Sequence, residues 1–277
     1  RYLAEIFELR QLSSGAELIL DSPEGKASGA AVLGGAAYGP KSGPEGFGPL
    51  PGAREEARKV AELLASRGKG PVESLEGEGA SEAALVQALA RRTPLFLHLA
   101  THGFFLETIR TEPEELGPSF EPVTRGPGGP RRRGVAAGVD PLVRSGLALA
   151  GANLGANARG EDGLFTAAEV AALPLEGTSL VVLSACETGV GEVKNGEGVS
   201  SLAAAFRSAG AANVLMTLWP VHDDQTRAFM VRFYELVLSG VEPALALGQV
   251  QREFLADDDD PTRRAPAAWA GFVVVGR

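Results

Sequence analysis

One cysteine, Cys186, and three histidines are all the thiol and imidazole that 277 residues offer. A lone thiol excludes an internal disulfide, and three histidines make a structural zinc cluster hard to assemble. A reduced thiol fits a cytoplasmic setting. Positive charge is also short, with 26 Lys and Arg against 35 Asp and Glu and a net charge of −9. Such a balance argues against generic binding to nucleic acid or to an anionic membrane, and it favours a basic ligand. No apolar run approaches the length of a membrane span. The chain opens on Arg1 with neither an initiator Met nor a signal-peptide pattern, so it reads as a piece of a longer protein. No repeat period is visible, which excludes a repeat architecture within these residues.

What is present is a chain 44% hydrophobic and 22% charged, enough for one sizeable α/β core. "ASGAAVLGGAAYG" (27–39) predicts a small-residue strand and "LPGAREEARKVAELLASRG" an amphipathic helix stopped by Gly68. "PVESL" predicts a strand, "ASEAALVQALARR" a helix capped by Ser81, and Leu95 to Phe105, "LFLHLATHGFF", one buried strand. Residues from Glu107 to about Gly138 are rich in Pro, Gly and charge and predict a long flexible loop. Order resumes at "SGLALAGAN" (145–153) and at "LFTAAEVAAL", a helix with a Thr166/Glu169 capping box. After it come the strand "TSLVVLSAC", a helix over 199–208, the strand "ANVLMTLW", helices over about 224–238 and 242–255, and a last strand in "WAGFVVVG". Strand and helix alternate throughout. The expectation is one α/β domain over 1–277, about six strands in a mostly parallel sheet with helices on both faces.

Ligands of such sheets bind at the carboxyl ends of the strands. His102 and Cys186 both fall just past predicted strand ends, with glycine close behind each. A thiolate nucleophile and its imidazole partner are expected in that relation, apart in sequence and adjacent in the fold. The amides of Gly103 and Cys186 are the candidate oxyanion donors, since glycine leaves the backbone open to a substrate carbonyl. A structural reading stands beside each: cysteine is among the most buried residue types, and histidine in an apolar run is commonly packed. His98, in mid-strand, reads as core or as support for the site.

"HLATHGFF", "SGLALAGAN", "DGLFTAAEVAAL", "LVVLSACETGVGEVKNGEGV" and "VLMTLWPVHDDQT" occur in that order, and together they resemble the CHAT domain. This is a caspase-like, separase-related cysteine peptidase domain, usually C-terminal to tetratricopeptide repeats in bacterial proteins. The resemblance implies a caspase-like (caspase-hemoglobinase) fold with His102 and Cys186 as a catalytic dyad, a protein or peptide substrate and no metal or organic cofactor. It also implies a regulatory partner or upstream repeat region. The matching acidic position after "LW" is Asp223, which would receive a basic substrate side chain, and whose plainer reading is a helix N-cap. His222 departs from the family pattern. Glu187 and Asp162 could add negative charge nearby. "GGPRRRG", with Arg131 to Arg133, reads as a solvated flexible loop and secondly as a self-cleavage segment, and the acidic run 257–260 as a solvated linker. Against the peptidase stands a signalling scaffold with an unused site, and behind both a hydrolase of small esters or amides.

Overall fold

The computed structural model describes residues 26–41, 46–68, 70–105, 107–109, 134–136, 140–155, 161–184, 197–219, 221 and 223–276, with Tyr2 and Leu12. In chain order the first elements are β1 (Ala30–Ala36), α1 (Pro51–Arg67), β2 (Val72–Gly77), α2 (Glu82–Arg91), β3 (Phe96–Ala100) and β4 (His102–Phe105). Then come β5 (Glu107–Ile109), β6 (Gly134–Ala136), β7 (Ser145–Ala148), β8 (Leu164–Thr166), α3 (Ala167–Ala171) and β9 (Leu180–Ser184). The chain closes with α4 (Glu197–Ser208), β10 (Asn213–Thr217), α5 (Asp223–Leu238), α6 (Pro243–Leu255), α7 (Pro266–Trp269) and β11 (Phe272–Gly276).

Six strands form the main sheet in the order β11-β10-β9-β3-β1-β2. All its pairings are parallel except β10 with β11, which is antiparallel at the edge. The strands β1, β3, β9 and β10 are buried along their whole length, which is why they read as continuous apolar runs rather than alternating ones. One face carries Leu85, Leu89, Val170 and Phe206 from α2, α3 and α4. The other carries Val60, Leu64, Phe229, Phe233 and Phe254 from α1, α5 and α6. Helices thus cover both faces, as the alternation of strand and helix requires.

Local signals placed several boundaries. The Ser81 hydroxyl accepts from the Ala84 amide at 3.3 Å, and Thr166 and Glu169 complete a reciprocal capping box. Gly68 does end α1, although in an extended conformation rather than the left-handed one usual for a terminal glycine.

The run from Leu95 to Phe105 is a correction. It is two strands, because the chain leaves the main sheet at Thr101, and His102 opens β4 in a separate antiparallel sheet ordered β4-β7-β8. Residues 164–166, read as the start of a helix, are β8 of that sheet. Within the expected loop, β5 and β6 pair in parallel. Arg131 to Arg133 lie outside the described residues, as do His222, Glu187 and Cys186. The acidic run is more than a solvated linker: the Asp257 carboxylate accepts from the amides of Asp259 and Asp260 and from Arg263, forming a braced turn before β11. Among the described residues no helix is long and apolar enough to cross a membrane.

The contact between α1 and β1 depends on a missing side chain. A Cβ at Gly34 would stand 2.4 Å from the Ala57 Cβ and 2.8 Å from the Ala53 carbonyl oxygen. Both obstacles are short and rigid, so the helix itself would have to move. Gly34→Ala is expected to lower the unfolding free energy by about 1–3 kcal/mol, read as a fall in the urea midpoint. An unchanged midpoint would show that α1 does not rest on β1 in this way.

Candidate functional site at the ends of β3 and β9

β3 and β9 are neighbours, and their last residues, Ala100 and Ser184, pair directly. From there the two chains part. Thr101, fully buried, holds the departure of the first: its hydroxyl donates to the Ala148 carbonyl and lies 2.8 Å from the Tyr38 hydroxyl. A threonine hydroxyl has one hydrogen. With that hydrogen on Ala148, Tyr38 must be the donor to Thr101, and the Tyr38 oxygen in turn accepts from the His102 amide. Burial pushes the Tyr38 phenol above its ordinary pKa, and the bonds to Thr101 and His102 offset part of that.

The His102 side chain is buried, at 5% exposure, against the rings of Tyr38 and Phe47, whose centroids lie 5.1 and 5.5 Å away. Its Nε2 is 2.8 Å from the Gly48 carbonyl oxygen. A carbonyl can only accept, so Nε2 carries the ring hydrogen and Nδ1 is the basic nitrogen of the neutral ring. Desolvation pulls the His102 pKa below its ordinary value; the Gly48 carbonyl opposes this and the charge of Lys41 reinforces it. At neutral pH the lowered pKa favours the uncharged ring.

Gly103 follows as the second residue of β4, opposite Leu147. Cys186 lies two residues beyond the last residue of β9 and outside the described residues. Asp223 is the first residue of α5, and its side chain too lies outside them. Asp162 accepts from the Leu164 amide at 2.9 Å in a turn leading to β8. That turn is reached by Glu82, the first residue of α2, which accepts from the Gly163 amide at 2.6 Å; burial pushes the Glu82 carboxyl up, the Gly163 amide opposes this, and Glu169, Asp162 and Glu161 add to it.

Beneath the strand ends lies a buried polar group that joins four elements. His98, fully buried, has Nδ1 3.3 Å from the Tyr234 hydroxyl and Nε2 3.3 Å from Glu56 Oε1, the latter pair off-line for a hydrogen bond. The other Glu56 oxygen accepts from Ser184 Oγ at 2.9 Å. Burial pushes the Tyr234 hydroxyl well above its ordinary pKa, and the Glu56 carboxylate pushes the same way. His98 is thus polar support for the strand ends rather than inert packing. Glu56 had a signal in the sequence: it stands four and eight residues before Val60 and Leu64, on the face of α1 that faces the core. Tyr38, Thr101 and Gly48 had none, because their roles come from contacts distant in sequence.

The CHAT domain family matches residues 1–277. The chain belongs to the CHAT domain family. It is 30% identical over 236 residues to human "Tetratricopeptide repeat protein 28" and 29% identical over 242 residues to the mouse protein of the same name. Those alignments cover 83% of this chain but 8% and 9% of the relatives, so the CHAT chain spans a small part of their length. The resemblance implied bacterial proteins; these two curated relatives are mammalian. Among solved structures the chain is similar to the "Arg specific cysteine proteinase gingipain R", at TM-score 0.49 and 12% identity, over 99% of this chain and 50% of that one. The fold is the mixed α/β one expected, with a six-stranded, mostly parallel sheet.

A direct measurement checks the state of the imidazole. In a Cys186→Ala chain, which removes any coupling to the thiol, the His102 ring is expected to titrate below 6.5 by NMR. Because the unfolded chain takes that proton more readily than the folded one, stability is withdrawn as pH falls from 6.5 towards the folded-state midpoint. A midpoint at or above 6.5 would contradict the desolvated site.

Proposed function

We propose that this CHAT domain is a cysteine endopeptidase in which Cys186 is the nucleophile and His102 its base. The observation that carries the reading is the setting of His102. It stands two residues past the end of β3, its Nε2–H given to the Gly48 carbonyl, and β9, the neighbour of β3, ends two residues before Cys186. Membership of the CHAT family adds the expectation of peptidase chemistry.

The steps follow from those groups. Nδ1 of His102 takes the thiol proton, and the Cys186 thiolate adds to the scissile carbonyl carbon. The resulting oxyanion is received by the amides of Gly103 and Cys186. As the C–N bond breaks, the imidazolium returns its proton to the leaving amine, and the acyl group remains on sulfur as a thioester. Water, deprotonated by the same imidazole, then adds to the thioester and releases acid and thiol. Every proton taken is given back, and the residues supply all the chemistry.

Cleavage after Arg or Lys is the specificity that fits a chain with a net charge of −9, with Asp223 as the acidic partner of the basic side chain. The repeat proteins among the relatives bring a second element, control of the domain by a repeat region or a regulatory partner. They also favour the second reading, a scaffold that binds a partner protein without cleaving it. A cytoplasmic location remains part of the proposal.

With a mixed fluorogenic peptide library, Cys186→Ala and His102→Ala are each expected to lower cleavage by at least about a thousandfold. Cleavage retained in either variant would sink the dyad, and partner binding that survives in a non-cleaving wild type would favour the scaffold. In the same assay Asp223→Ala should remove the preference for Arg and Lys at the cleaved bond while leaving other peptides unaffected. A basic preference that persists would take Asp223 out of the specificity pocket.

A further inference from the structure

The His102 ring is oriented by a backbone carbonyl, and a carbonyl is only as well placed as the segment that carries it. Gly48 is followed by Pro49, which restricts its backbone to extended conformations, and then by Leu50 and the first turn of α1 at Pro51. That side is stiff. On the other side Gly48 is joined to Phe47, and Phe47 is gripped by one side chain from a distant turn. The Asn153 Oδ1 accepts from the Phe47 amide at 2.9 Å, and the Asn153 Nδ2 donates to the Phe47 carbonyl at 2.9 Å. The second Nδ2 hydrogen goes to the Gly39 carbonyl at 3.1 Å.

Asn153 thus uses one oxygen and both amide hydrogens, and ties Gly39 to Phe47 across the segment between them. Its own turn is anchored in the same place: the Asn153 amide donates to the Tyr38 carbonyl at 2.8 Å and the Gly151 amide to the Ala37 carbonyl at 3.0 Å. Both aromatic neighbours of His102, Tyr38 and Phe47, are therefore held by bonds to Asn153. The influence passes through Phe47 to the Gly48 carbonyl.

We propose that Asn153 is a positioning residue for His102, fixing the Gly48 carbonyl and through it the Nε2–H tautomer that leaves Nδ1 as the base. The proposal rests on His102 being the base of the dyad, and its decisive readout does not need peptidase activity. The side chain must present an acceptor and two donors in one plane. Aspartate has the same shape but no amide hydrogen, and it would set a carboxylate oxygen against the carbonyls of Phe47 and Gly39.

The tautomer of His102 is read from the ring nitrogen shifts of the 277-residue chain carrying ¹⁵N-histidine, beside cleavage kinetics and thermal melting. Asn153→Asp is expected to turn a ring that is dominantly Nε2–H into a mixture of tautomers. It is also expected to lower kcat by about tenfold to a hundredfold with KM little changed. Should Asn153→Asp not fold, Asn153→Ser keeps an acceptor for the Phe47 amide without the amide donors, and the same mixture is expected. Leu154→Ala, at the exposed neighbouring position, should leave the tautomer unchanged. A folded Asn153 variant whose His102 keeps the wild-type tautomer ratio would overturn the proposal, even if its kcat fell. A wild type that cleaves no peptide would count against the dyad alone, and the tautomer would still decide the role of Asn153.

Discussion

A strand paired on both edges and covered on both faces has no free surface along its length, so its only outlet to a ligand is its end. β3 is such a strand. It lies between β1 and β9, and all five of its residues are buried. The rest of the site is a consequence of what the chain does at Ala100. There it turns out of the parallel sheet and immediately joins an antiparallel one, so that His102 is rooted in a paired strand rather than in a loop. At the turn the buried hydroxyls of Thr101 and Tyr38 meet the Ala148 carbonyl and the His102 amide. Because each hydroxyl has one hydrogen to give, the direction of every bond is determined, from the His102 amide through Tyr38 and Thr101 to the Ala148 carbonyl.

The buried carboxylate of Glu56 is the counterpart under the other strand. A carboxylate in this position is costly unless it is met by donors, and removing one partner of a buried charged group costs far more than a surface ion pair contributes. Ser184 supplies a donor to one carboxylate oxygen, and the His98 ring, joined on its other side to the Tyr234 hydroxyl, lies 3.3 Å from the second oxygen, off-line for a hydrogen bond. Four elements (α1, β3, β9 and α5) therefore meet at one charge. The group sits where β9 ends, so its geometry and that of the strand end are coupled.

The sequence made the scaffold legible because the forces that form it are local in their signature. β1, β9 and β10 announce themselves as unbroken apolar runs, and Ser81 and the Thr166/Glu169 pair announce helix starts. His102 could be found from the glycine behind it. The break at Thr101 could not, since "ATH" contains no turn-forming residue, and the decision is made by Ala148 and Tyr38, distant in the chain and close in space. The orienting partner of His102 was equally hidden: a backbone carbonyl belongs to every residue type. β8 was overridden in the same way, its three residues being drawn into the second sheet by β7. Glu56 was legible by its helical spacing, and only its partners were not.

Gly34 gives these relations a lever arm. Because it has no side chain, α1 lies low on the sheet, with Ala57 almost against the strand. Ala57 is the neighbour of Glu56 on the same helix, so the depth at which the helix seats is also the depth to which the carboxylate reaches. Steric fit at one position is thereby converted into electric field at the next. A methyl group added on β1 would lift the helix, and with it would withdraw a negative charge from beneath the strand ends, so that a change of pure volume would be felt by the site as a change of charge.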